Sequence, residues 1–278
     1  MNKIYSKIGF IGSGKMAGAI IKGLVKTGFT KAENLIATQA EPLGVEEKSK
    51  ELGIRIILDN KELVKLSDVI FIAVKPNQVL GVLEEIKPFI TSEKLIVSIA
   101  AGVNLNKLET NLPNETRVIR VMPNTPALVG EGMSGMIGGK AVNNEDLGFV
   151  KSLLSTIGKC IIADNENQMD IVTAISGSGP AFFYKVINEI ARAGEKLGMD
   201  YEKALLLSIQ TAIGSAKMAL NRNISMEQLI SNVATKGGCT AVGVDCMNNN
   251  NTENLFYEVI KSTTEKAHAL GEGYKLEN

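Results

Sequence analysis

Tryptophan is absent from this 278-residue chain, and histidine occurs once, at position 268. A single histidine disfavours a His-based proton relay and a His-ligated metal. His268 is expected at a surface position on the last helix. Cysteine is scarce as well: Cys160, Cys239 and Cys246 are odd in number and irregularly spaced. They fit neither a disulfide framework nor a zinc pattern, which suits the reducing cytoplasm, where the protein is expected. No surplus of charge exists either, since 30 basic residues face 30 acidic ones. A nucleic-acid partner would call for a basic surplus or stripe, so none is expected, nor is an acidic membrane surface. No apolar run approaches the roughly eighteen residues of a spanning helix. The start, Met1 to Lys7, is polar and enters a strand without a signal-peptide core.

What is present is apolar material, 45% of the chain, in a length that suits two domains. The first half alternates strand and helix. Lys7 to Ile11 is a short apolar run, and the helical spacing of Met16, Ile20, Leu24 and Val25 follows it. Gly28 is placed to end that helix. Further strands are expected at Leu35–Ala37, Ile54–Leu58, Asp68–Val74, Leu95–Ala100, Val118–Met122 and Met133–Ile137, with helices through Leu63 and Leu66 and up to Ile90. Near-continuous apolar runs such as DVIFIAV suit strands covered on both faces. Repeated strand–helix–strand order implies an α/β fold with a parallel sheet and right-handed crossovers. Residues 1–165 are expected to form this Rossmann-type domain and residues 166–278 an all-helical one.

Gly12-Ser13-Gly14-Lys15-Met16-Ala17 reads G-x-G-x-x-A between the first strand and first helix. Gly12 permits the tight turn, Gly14 lets a pyrophosphate approach, and Ala17 allows close helix–strand packing. The helix N-terminus offers amides and partial positive charge to the phosphates. Dinucleotide binding is expected, as NADPH or NADH. An acidic residue about twenty residues further on would select NAD. Here Thr38-Gln39-Ala40-Glu41 occupies that region, and no arginine stands ready for a 2′-phosphate. Thr38 and Gln39 suit a ribose hydroxyl or a phosphate, so the choice stays open.

Ligands in open α/β sheets sit outside the carboxyl ends of strands. Three such ends are unusual. Ala73-Val74-Lys75-Pro76 stops one strand at a proline. Ser98-Ile99-Ala100-Ala101-Gly102 places small residues where a nicotinamide ribose needs space. Pro123-Asn124-Thr125-Pro126 ends a third in a rigid turn.

From Gln168 onward no strand is evident. Helices are expected from Pro180 to Leu197, from an Asp200 cap to Leu220, after a Ser225–Gln228 capping box, and from Glu253 to Leu270 with Gly271 as the stop. Several read apolar on more than one face, which implies burial in a second subunit.

Taken in order, GSGKMA, AVKP, SIAAG, RVMPNTPALVGEGM, SGSGPAFFY (from Ser176) and KGGCT (from Lys236) are the motifs of a known group. The chain resembles pyrroline-5-carboxylate reductases over essentially its whole length. That resemblance implies NADPH- or NADH-dependent reduction of 1-pyrroline-5-carboxylate to L-proline. It also implies a helical domain interlocked with a second subunit, giving a homodimer or a multiple of dimers. By the same resemblance Asn60, Ala73 to Pro76, Ala100 and Ala101 touch the cofactor, and Glu166 and Asn232 border cofactor and substrate. Gly237, Gly238, Cys239 and Thr240 match the substrate loop, whose amides take the carboxylate, and Thr240 matches the hydroxyl beside the ring nitrogen. The family pattern there is SPGGTT, so Lys236 replaces a proline and Cys239 a small residue. Cys239 is expected to pack rather than to react. Reducing a protonated cyclic imine yields an amine, not an alkoxide, so no buried histidine is required. A β-hydroxyacid dehydrogenase or imine reductase would instead carry a helix-borne lysine or aspartate donor and lack VMPNTP and SGSGPA.

Overall fold

The structure is a computed structural model that describes residues 5–220 and 223–273. Its sheet has eight strands: β1 (Ile8–Ile11), β2 (Leu35–Thr38), β3 (Arg55–Ile57), β4 (Val69–Ile72), β5 (Leu95–Ser98), β6 (Arg117–Met122), β7 (Gly132–Gly138) and β8 (Gly158–Ile162). They lie in the order β3-β2-β1-β4-β5-β6-β7-β8. The first six follow the doubly wound dinucleotide-binding order. Every residue of β1, β2, β4 and β5 is buried, as continuous apolar runs predict.

Successive side chains in these strands enter two cores. Ile8, Phe10, Val69 and Phe71 join α1 (Lys15–Lys26) and α6 (Asn144–Leu154) on one face. Phe10 and Phe71 stack there with ring centroids 4.7 Å apart. Ile11, Ile70 and Ile72 join α3 (Asn60–Leu66), α4 (Val79–Ile86) and α5 (Leu105–Thr110) on the other. α2 (Val45–Leu52) contributes Leu52 to the first core. α1 ends as expected, with Gly28 at φ +71 just beyond it.

The sheet is parallel except between β6 and β7, which pair antiparallel. The intervening segment holds a 3-10 turn over Thr125–Val129 and no helix able to cross the sheet. A parallel return needs a crossover of roughly a dozen residues or more. β8, which the sequence did not mark, pairs parallel with β7 as the edge strand. Its residues are largely exposed or half-buried, so it lacks a continuous apolar signature.

Helices follow β8: α7 (Glu166–Val172), a π-helical turn over Thr173–Gly177, α8 (Gly179–Lys196), α9 (Tyr201–Ala219), α10 (Met226–Val233), α11 (Cys239–Asn249) and α12 (Thr252–Glu272). α12 passes through the expected stop. Gly271 is buried within it, and its carbonyl accepts from Asn104 Nδ2 at 3.3 Å and from Lys107 Nζ. The left-handed residue is Gly273, at φ +99.

Two compact units result. One comprises the residues up to Ser178 with those from Thr263 onward, the other Gly179–Ser262. Residues 166–178 fall in the first of these units, where α7 packs on β7 and Glu166 pairs with Arg120. Within the second unit α8 and α9 pack on each other, yet its buried hydrophobic residues are only Ala191 and Ala204 among those described.

Candidate active site

The phosphate loop sits at the carboxyl end of β1. Gly12 adopts φ +99, and a Cβ there would stand 2.7 Å from the Ala73 carbonyl oxygen. Only glycine lets β1 and β4 approach so closely at the turn. Gly14 is the N-cap of α1, and a Cβ there meets nothing within 4 Å. Ser13 is buried, whereas Lys15 and Met16 open the helix, whose first amides lack intrahelical acceptors. A closed turn, an open glycine face and free first-turn amides fit a pyrophosphate.

Beside the loop lies a cleft of about 300 Å³. It brings together Gly12, Ser13, Thr38, Gln39 and Asn60 with Ala73, Val74 and Lys75. Thr38 Oγ1 accepts from the Gly12 amide at 3.2 Å and donates to Asn60 Oδ1 at 2.7 Å. Asn60 Nδ2 in turn donates to Glu85 Oε2 at 2.9 Å. These bonds lock the ends of β1 and β2 to the start of α3. Lys15 lines a different hollow, along the flank of α1. Pro76 opens a 3-10 turn after β4, and Ala100 and Ala101 follow β5, buried and exposed respectively. All three stand at the same sheet edge without lining the cleft.

Glu166 opens α7. Its Oε1 accepts from the Leu105 amide at 2.6 Å, and its Oε2 from Arg120 Nη1. Arg120 is buried in β6, so Glu166 neutralises it while fixing the start of α5. The two motifs that carry the resemblance also meet. Buried Asn124 donates to the Ser176 carbonyl at 3.2 Å and lies 3.3 Å from Ser176 Oγ, while its Oδ1 accepts from the Met133 amide at 2.8 Å. Ser176 Oγ donates to the Met133 carbonyl at 3.0 Å. The positioning parts played by Arg120, Asn124 and Ser176 were not read from sequence. Their only signal was polar residues inside two otherwise apolar or small-residue motifs.

Asn232 and residues 237–240 belong to the second unit. Asn232 Oδ1, on α10, accepts from Gln228 Nε2 at 2.8 Å. Thr235 to Gly238 form a turn closed by the Gly238 amide on the Thr235 carbonyl at 2.9 Å. Gly237 has φ +79 and occupies the third position, where type II turns demand glycine. Lys236 stands at the second position, which proline favours, yet the turn still closes. Residues 239 and 240 are not loop but the first turn of α11, capped by Gly238. The amides expected to take the carboxylate are therefore those of a helix N-terminus. Cys239, expected to pack, is exposed there, as is Thr240. Burial pushes the Cys160 thiol up to about 11, which removes it as a nucleophile. His268, exposed on α12, has Nδ1 3.1 Å from Asp170 Oδ2.

Fold and cleft together are those of the Rossmann-type dinucleotide-binding class, followed here by a helical C-terminal segment. Residues 166–270 match the family described as pyrroline-5-carboxylate reductase dimerisation, and residues 7–102 the coenzyme F420-dependent NADP oxidoreductases. The pyrroline-5-carboxylate reductase of Methanosarcina acetivorans is 40% identical over 95% of this chain and 98% of its own. That of Pseudomonas aeruginosa is 36% identical over 96% and 97%. A solved reductase from Coxiella burnetii superposes with a TM-score of 0.91 at 32% identity, covering 96% of this chain and 99% of that one. One from Plasmodium falciparum, solved with NADP bound, gives 0.83 at 34% identity, covering 98% and 100%. This chain belongs to the pyrroline-5-carboxylate reductase family.

Proposed function

We propose that the chain reduces 1-pyrroline-5-carboxylate to L-proline with NADPH or NADH, the last step of proline biosynthesis, in the cytoplasm and as a homodimer or a multiple of dimers. The observation that carries this is the cleft at the carboxyl ends of β1, β2 and β4, in a chain that matches reductases end to end. Gly12, Ser13 and Gly14, with the amides of Lys15 and Met16, hold the pyrophosphate. Thr38, Gln39 and Asn60 receive the adenosine end, and residues 73–76 with Ala100 and Ala101 flank the nicotinamide end. The bound dinucleotide supplies the hydride. Gly237, Gly238 and Cys239 present backbone amides to the substrate carboxylate, as a helix N-terminus does for anions. The Thr240 hydroxyl orients the protonated ring nitrogen, whose charge makes the adjacent carbon electrophilic. Glu166 borders substrate while holding Arg120, and Asn232 borders the cofactor.

The test follows nicotinamide absorbance in a mixture of protein, 1-pyrroline-5-carboxylate and either dinucleotide. Oxidation that requires both protein and imine supports the reading. A folded protein that oxidises neither dinucleotide would overturn it.

A further inference from the structure

The end of β2, where the adenosine ribose is received, has a one-sided hydrogen-bonding inventory. Gln39 uses both amide protons on the chain, donating to the Glu41 carbonyl at 2.8 Å and the Leu43 carbonyl at 2.7 Å. Because both partners are carbonyls, the nitrogen end of that amide is unambiguous, and its oxygen is left to accept. Thr38 spends its single proton on Asn60. Asn60 commits an amide proton to the Glu85 carboxylate.

Cations are scarce at this end as well. Lys75 is the only charged residue lining the cleft, and it follows β4, which is separated from β2 by β1. Lys48, on α2 after the β2 end, pairs with Glu51 at 2.8 Å, and Arg55 on β3 pairs with Glu62 at 2.8 Å. Lys22 takes the other oxygen of Glu51 at 2.9 Å, and together the two lysines hold that carboxyl down at about 2. Glu41 stands exposed two residues beyond Gln39.

A ribose 2′-hydroxyl brings a proton and needs an acceptor. A 2′-phosphate brings oxygens only, carries about −1.5 to −2 charge, and needs donors or a cation. We propose that this end of the cleft reads the unphosphorylated ribose, so that the protein binds NADH in preference to NADPH, with Gln39 as the residue that sets the preference. The inference rests on the cleft being the dinucleotide site.

Isothermal titration with ADP-ribose and with 2′-phospho-ADP-ribose tests it without turnover, and titration with NADH and NADPH repeats it on whole cofactors. The unphosphorylated member of each pair is expected to bind at least about tenfold more tightly, the worth of one lost charge-assisted hydrogen bond. Ala40 is exposed and lines the cleft, so Ala40→Arg adds a cation without touching the bonds of Gln39. That variant should shift the ratio by about tenfold toward the phosphorylated ligands. Equal or tighter binding of the phosphorylated ligands by the parent would overturn the proposal, as would a ratio that Ala40→Arg leaves unmoved. If none of the four ligands binds the folded protein, the assignment of the cleft fails and the preference falls with it.

Discussion

A Cβ built at Gly12 collides with the Ala73 carbonyl oxygen, whereas one built at Gly14 meets no atom within 4 Å. Gly14 also has φ −70, which any residue adopts without strain. Gly14→Val is therefore expected to keep the melting temperature of the parent while weakening binding of either dinucleotide at least about tenfold, through loss of close amide–phosphate contact. Parent-like affinity in calorimetry would show the phosphate loop to be misassigned. Thr240 makes a second test at the same scale. A hydroxyl bonded to a charged ring nitrogen, the part proposed for Thr240, is worth roughly 1.5–3 kcal/mol, so Thr240→Ala should lower kcat/KM by about one to two powers of ten, with dinucleotide affinity unchanged. Cys239→Ala, one residue earlier, should be near neutral; loss of activity in that variant alone would point to thiol chemistry. The glycine turn after β1 was legible because its residues lie side by side in sequence and their spacing is itself the motif. The bonding of Gln39 and Asn124 was not, since polar side chains find partners that spacing does not encode. Asn124 meets Ser176 across more than fifty positions.

At the scale of elements, the two ends of the strands divide the work. Arg117 begins β6, at the end remote from the cleft. It donates to Asp146 Oδ1 at 2.7 Å, to Tyr5 Oη at 2.6 Å and to the Glu93 carbonyl at 2.6 Å, with both charged side chains buried. Arg117→Met strands a buried carboxylate, which costs about 3–5 kcal/mol and lowers the melting temperature by roughly 10 °C, with KM for both substrates unchanged. Asn124 follows the other end of β6, where it joins β7 to the π-helical turn before α8. Asn124→Ala leaves buried partners unpaired at about 1–3 kcal/mol, and here kcat/KM should fall too, because that strand end faces the site. Thermal melts paired with steady-state kinetics separate the two; a catalytic defect in Arg117→Met would contradict the division. The central strands were readable as elements because burial on both faces leaves an unbroken apolar run. β8 and α11 were not. β8 is an edge strand, and α11 begins inside a glycine-rich stretch that reads as loop until Gly238 is seen to cap it.

At the scale of the whole molecule, the second unit cannot account for its own stability. Phe183, Leu197, Leu206 and Leu255 are 68%, 89%, 67% and 59% exposed, against a buried hydrophobic complement of two alanines. Each large side chain of this kind gains about 1.5–3 kcal/mol when fully buried, so these four alone represent several kcal/mol awaiting a cover. An apolar surface of this extent marks an interface rather than a solvated face. It falls within residues 166–270, the segment that matches the dimerisation family. Apart from α11, the helices of this unit were legible in sequence, including their apolarity on more than one face, but a chain carries no periodicity that names what covers them. Folding of Gly179–Ser262 is therefore expected to be coupled to association, and coupled folding makes apparent stability depend on concentration. Light scattering should find a dimer or a multiple of it. The melting temperature should rise with protein concentration, and dilution toward the dissociation constant should remove activity together with helical circular dichroism. A stable monomer with full activity at high dilution would sink this account, because it would require the exposed faces of α8, α9 and α12 to stand in water at no cost.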